Sequence, residues 1–174
     1  MTAGRLALWG RQPKKPGEAI LAAVLSLVVL AICGGVGLAL KQPWLFPSLG
    51  PTAMLLVGAP KLPSARPLNA VIGHFVALLV GYGCILAFGL TQAQPAPVVG
   101  LTPAYVFAGS TAVAVTMVIL ELLQLPHPPA GATALIVSLG ILDKPPVLLQ
   151  MAGAIVLIVV LSWLATALLG RRSS

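Results

Sequence analysis

Leu125-Pro126-His127-Pro128-Pro129-Ala130-Gly131-Ala132-Thr133-Ala134-Leu135-Ile136-Val137-Ser138 is the stretch that decides how this chain folds. Three prolines around one histidine stop any helix arriving from the N-terminal side, because proline lacks an N–H and its ring collides with the preceding turn. Beyond them, Ala130 to Leu142 reads as a short apolar helix closed by Asp143-Lys144-Pro145-Pro146. That is too short for a bilayer, which takes about 20 residues of helix. Full-length apolar runs stand on either side: Ala104 to Leu125, with Glu121 near its end, and Val147 to Leu169, closed by Gly170, Arg171 and Arg172. A half-length helix between two full ones puts irregular backbone at membrane depth, where only protein or a water-filled cavity can cover it.

The first half of the chain has the same order. A full span from Glu18 to Leu40 follows Pro16-Gly17 and stops at Lys41. Gln42 to Pro60 is apolar but holds Pro43, Pro47, Gly50 and Pro51, so only Ser48 to Gly58 is left for regular helix. A basic connector with Lys61, Pro63, Arg66 and Pro67 leads into a second full span, Asn69 to Leu90, which carries His74 and the small residues Gly73, Gly81 and Gly83. Thr91 to Pro103 reads as a loop. Laid over Gly131 to Ser138, the residues Gly50 to Val57 match at an offset of 81 with three identities, and Asn69 falls on Gln150. The reading is an internal repeat, about 18–90 and about 104–169. The repeats are inverted if each broken segment crosses the membrane.

Composition agrees with an all-α integral membrane fold of four full transmembrane helices and two half-helices. Of 174 residues, 59 % are apolar and 7 % charged, against roughly 45–50 % and 25 % in a soluble domain. A water-soluble enzyme is excluded, and no nucleophile with its base, metal cluster or cofactor motif is present, so neither an enzyme nor a cofactor is expected. The net charge of +7 lies at the ends of apolar runs, which suits lipid headgroups and not nucleic acid. Cys33 and Cys84 lie inside apolar runs and are expected as free thiols. Ala19 to Leu40 is 22 residues without a charge, longer than a signal peptide's apolar core, so a retained span is expected. With the N-terminus inside, Arg5, Arg11, Lys14, Lys15, Lys61, Arg66, Arg171 and Arg172 are cytoplasmic and only Lys41 and Lys144 face out. The resulting plan is a cytoplasmic segment 1–17, one membrane domain 18–170 and a cytoplasmic tail 171–174, in the cell's inner (plasma) membrane. Trp9, Trp44 and Trp163 are expected as interfacial anchors, and Gly34, Gly35, Gly37, Gly81 and Gly83 as close helix contacts.

A helix that starts inside a membrane presents unpaired N–H groups and a partial positive charge. Two of them in inverted repeats aim at one midplane site for an anion. The candidate residues are Ser48, as a helix cap, with Gly50, Pro51 and Thr52 at the first start, and His127, Pro128, Gly131, Ala132 and Thr133 at the second. Gly50 and Gly131 let backbone approach a ligand; Thr52 and Thr133 add hydroxyls. His127 can donate to an anion and change the charge of the site with pH. His74, beside Asn69, is an intramembrane ionisable residue and hence a functional candidate. Glu121 is expected to pair with Lys61 or Arg66.

Pro126 to Ile136, together with Pro47 to Ala53 and Asn69 to His74, resembles the HPP family of small integral membrane proteins, named for the tripeptide that stands here as His127-Pro128-Pro129. The resemblance runs from about Gly17 to Arg171. It implies four transmembrane helices and, since plant chloroplast and cyanobacterial members are implicated in nitrite transport, passage of nitrite or a similar small monovalent anion. By position it points to Ser48, Gly50, Pro51, Thr52, Asn69, Gly73, His74, His127, Pro128, Pro129, Gly131 and Thr133. Regulatory soluble domains follow the membrane part in some relatives; nucleotide regulation within this chain is not expected. A homo-oligomer is expected. The competing readings are a membrane partner subunit without transport, and a cation or proton channel using Glu121 and His74.

Overall fold

The computed structural model describes residues 15–142 and 144–170. Trp9, Arg5, Arg11, Lys14, Asp143, Arg171 and Arg172 lie outside them. The described residues form α1 (Pro16–Leu40), α2 (Leu49–Gly58), a 3₁₀ turn (Pro63–Ala65), α3 (Pro67–Ala87), α4 (Ala96–Val99), α5 (Pro103–Leu122), α6 (Pro129–Ser138) and α7 (Pro145–Leu168). Four of these, α1, α3, α5 and α7, are long and apolar enough to cross a membrane. The two broken segments give helices of ten residues each, about 15 Å, or half the hydrocarbon thickness.

Proline places the starts. It occupies the first turn of α1, α3, α5, α6 and α7, where its missing N–H is no loss and its fixed φ suits the helix. The Pro16-Gly17 pair therefore opens α1 and does not precede it. Two ends are closed in the left-handed region by residues other than glycine: Lys41 at φ 54° and Gln124 at φ 55°. The Lys41 N–H reaches back to the carbonyls of Gly37 and Leu38, which satisfies the end of α1. The segment read as a loop, Thr91 to Pro103, contains the single turn α4. Ala96 at its start donates to the Leu139 carbonyl at 3.0 Å.

The packing falls into two groups of three. α1, α2 and α7 pack on one another, α3, α5 and α6 do the same, and α3 meets α7 between the groups. Each short helix thus lies against the long helix before it and against the last long helix of the other half. α6 runs alongside α3 in the same direction. A Cβ on Gly73 would sit 3.0 Å from the His127 Cβ, and one on Gly81 would sit 2.8 Å from the Val137 Cβ, so eight residues along α3 correspond to ten along the α6 strand of the chain. The α2 end leads through residues 59–62 and the 3₁₀ turn to the α3 start, and the 3₁₀ turn packs on both helices. Asn69 ties that end together, with Nδ2 donating to the carbonyls of Pro63 at 3.2 Å and Pro126 at 3.3 Å. At the opposite end Tyr105 donates its hydroxyl proton to the Gln94 carbonyl at 2.6 Å.

Several small-residue and tryptophan expectations are corrected. Gly81 is a close helix contact, but Gly35 and Gly83 have nothing within 4 Å of a Cβ position, and Gly34 and Gly37 face the loop after α1, at Leu45, Gln42 and Trp44. The tight turn after Lys41 folds this loop back onto α1. Trp44 is not a surface anchor: its ring lies 3.2 Å from the Cβ position of Gly153 on α7, and its buried Nε1 has no hydrogen-bond partner among the described residues. Trp163, 45 % exposed near the α7 end, remains in an anchoring position. Cys33 and Cys84 are free and buried. In α1 the buried residues are Val29, Cys33 and Gly37, a single stripe at a four-residue period flanked by the partly buried Leu30 and Gly34, and most of the helix is exposed.

Candidate functional site

The two short helices start at one imidazole. Thr52 lies in the first turn of α2 and Thr133 in the first turns of α6, and each is fully buried. His74, two turns into α3 and equally buried, stands between them. Its Nε2 is 2.8 Å from the Thr52 Oγ1 and its Nδ1 is 2.7 Å from the Thr133 Oγ1. The two residues related by the 81-residue offset therefore hold opposite nitrogens of the same ring. His127, 2 % exposed, completes the group: its Nε2 lies 3.3 Å from His74 Nε2, with the rings edge to face at 70°. Its Nδ1 is 2.9 Å from the Ser64 carbonyl oxygen in the 3₁₀ turn. Gly73 makes this approach possible, since a side chain there would collide with His127.

These partners fix where the protons are. A carbonyl only accepts, so His127 donates from Nδ1 to Ser64, and its Nε2 carries the lone pair. The Thr52 hydroxyl donates to the Ser48 carbonyl at 2.8 Å and accepts at its oxygen, so His74 donates from Nε2. That N–H is shared between Thr52 and the lone pair of His127. His74 Nδ1 then accepts from the Thr133 hydroxyl. Every polar atom of both rings is satisfied with both imidazoles neutral, as burial demands.

Beside His127 a cavity of about 260 Å³ opens between α5 and the start of α6, lined by Thr116, Glu121, Pro126, His127, Pro128 and Gly131 among others. Several water molecules fit such a volume. The Thr116 hydroxyl is buried and has no hydrogen-bond partner among the described residues.

The tripeptide His127-Pro128-Pro129 thus does two things at once: it starts α6 and it brings an imidazole onto His74. The HPP family profile, described as its transmembrane region, matches residues 11–174. The chain belongs to the HPP family. No match was found among curated proteins or among solved structures. The match spans almost the whole chain, so the HPP frame covers both halves and both broken segments.

Within this HPP frame the candidate residues separate. Thr52, His74, His127 and Thr133 come together. Ser48 joins them through its carbonyl only: it stands before α2 in a helical conformation without a side-chain cap, and its buried Oγ is unpartnered, which corrects the capping expectation. Asn69 ties the 3₁₀ turn to the break before α6 and does not bond the imidazoles. Pro51 and Pro128 are exposed, and Gly50 and Ala132 are partly buried. A Cβ on Gly50 would meet nothing within 4 Å, and one on Gly131 only Val113 at 3.9 Å, so no protein backbone presses on either. Glu121 is exposed; it lines the cavity and forms no ion pair with Lys61 or Arg66 among the described residues, which corrects that expectation. Sequence reading missed Ser64, whose role is played by a main-chain carbonyl that no side-chain pattern announces, and Thr116, which nothing in the sequence sets apart from the Ser110 and Thr111 hydroxyls of the same helix. No group of three or more His, Cys, Asp or Glu able to hold a metal occurs among the described residues.

Proposed function

We propose that this membrane protein is a transporter for a small monovalent anion, nitrite being the substrate to which the family resemblance points, and that the anion binds between the α2 and α6 starts. The observation that carries the reading is the convergence of both half-helices on opposite nitrogens of His74, through Thr52 and Thr133. Two helix starts aim partial positive charge at one buried spot, which favours an anion without a lysine or arginine in the hydrocarbon. The cavity beside His127 is the approach from one face.

The two-by-three packing supports an inverted repeat of 18–90 and 104–169, in which each broken segment crosses the membrane. With the basic connector at Lys61 and Arg66 on the cytoplasmic side, both termini of the chain are cytoplasmic and the protein sits in the inner membrane of the cell. A homo-oligomer belongs to the same reading.

The test is uptake in proteoliposomes, with nitrite, nitrate, formate and chloride compared under an imposed membrane potential. Thr52→Val with Thr133→Val is expected to lower uptake at least tenfold. Full activity in that double variant would place the anion elsewhere. One observation favours a second reading, a proton or cation channel: Glu121 shares the cavity with His127. In that case currents reverse at the cation equilibrium potential whichever anion is present.

A further inference from the structure

The site holds two imidazoles in contact where one would suffice to donate a hydrogen bond to an anion. We infer that the His74–His127 pair takes up one proton for each anion bound, so that the protein is a proton–anion symporter and its two substrates cross as a neutral pair. This rests on the anion reading above and specifies its co-substrate.

The geometry supplies a seat for that proton with every bond accounted for. In the neutral group the His127 Nε2 lone pair accepts from the His74 Nε2–H across 3.3 Å, and the lone pair of His74 Nδ1 accepts from the Thr133 hydroxyl at 2.7 Å. A proton taken from water forms its new N–H bond at His74 Nδ1, and the Thr133 hydroxyl turns from donor to acceptor to receive it, since a hydroxyl can do either. No other bond within the pair breaks: His74 keeps its Nε2–H on His127 Nε2, and His127 keeps its Nδ1–H on the Ser64 carbonyl at 2.9 Å. The positive charge then rests on the ring that stands between the two helix starts, held there by its hydrogen bond to His127. Nothing is oxidised or reduced, and the only species that moves is a proton.

The coupling has a physical cause. A lone imidazolium in this buried group, or a lone anion, would be an uncompensated charge in a low-dielectric interior. Together they cancel. Each therefore strengthens the binding of the other by the same factor, as linkage requires. The groups facing the pair bear this out. Thr52 comes from α2, Thr133 from α6, the Ser64 carbonyl from the 3₁₀ turn, and Thr116 and Glu121 from α5 around the cavity. None carries a positive charge. Glu121 is the one carboxylate among them and shares the cavity with His127.

The test is made on the whole chain in proteoliposomes, with the membrane potential clamped to zero and a dye reporting internal pH. Nitrite is measured against protein-free vesicles, because its conjugate acid crosses lipid unaided; nitrate, whose acid is strong, is measured in parallel. A gradient of one pH unit, acid outside, is expected to accumulate the anion about tenfold, with one proton entering per anion. In His127→Gln, whatever uptake remains should carry no protons and follow an imposed potential. Uptake by the unaltered protein that follows potential, with no internal acidification, overturns the inference and leaves the anion reading standing. Wild-type stoichiometry in His127→Gln overturns the part given to the histidine pair. An absence of flux for every anion under both gradients defeats the anion reading itself, and the inference with it.

Discussion

Thr133 is the residue at which the backbone and the ring can be told apart, because its side chain touches His74 while its main chain belongs to α6. Thr133→Ser keeps the hydroxyl and should keep most of the uptake. Thr133→Val strands the lone pair on His74 Nδ1; hydrogen bonds between membrane helices are worth about 0.6 to 2 kcal/mol, so the melting temperature in detergent should fall by a few degrees. Thr133→Asp adds a negative charge at the helix start and should abolish anion uptake outright. Both threonines and both histidines were visible in the sequence: Thr52 and His127 adjoin prolines, Thr133 follows the Pro128-Pro129 break by one turn, and His74 is an ionisable residue inside an apolar run. Their mutual contacts were not, since partners separated by 22, 53 and 59 positions are joined only by the fold.

Helix existence was legible and helix ends less so. Apolar runs bounded by prolines gave every long helix to within about three residues, because the first-turn position of proline is a local rule. The ends depend on turns such as the left-handed Lys41 and Gln124, which no glycine announces. α4 escaped notice because its start is anchored from a distance, by the Leu139 carbonyl. Two helix contacts rest on single positions. Gly81→Leu drives a side chain into Val137 and the Ala134 carbonyl on α6, and such overpacking costs typically 1–3 kcal/mol; Gly83→Leu, where the space is open, should cost almost nothing. A difference in melting temperature between the two variants checks the α3–α6 register. Asn69→Leu removes both ties between the breaks and should destabilise less than Gly81→Leu, as its two bonds are long.

Across the whole molecule, the inverted arrangement predicts sidedness. Lys61 and Gln92 are exposed at opposite ends of α3, so impermeant thiol reagents should label Lys61→Cys only from the cytoplasm and Gln92→Cys only from outside. Labelling of both from one face would remove the inverted repeat. The native Cys33 and Cys84 are buried and leave the background low. Trp44 adds an optical consequence. Its indole is pressed between the α1 turn and Gly153 of α7, and its N–H is buried without a hydrogen-bond partner among the described residues. Indole fluorescence shifts to the red when water reaches it. In a chain carrying Trp9→Phe and Trp163→Phe, Trp44 becomes the sole emitter, placed at the seam where the first long helix meets the last. Any working cycle that parts α1 from α7 should therefore announce itself as a red shift on adding substrate, a colour change readable in detergent without a label.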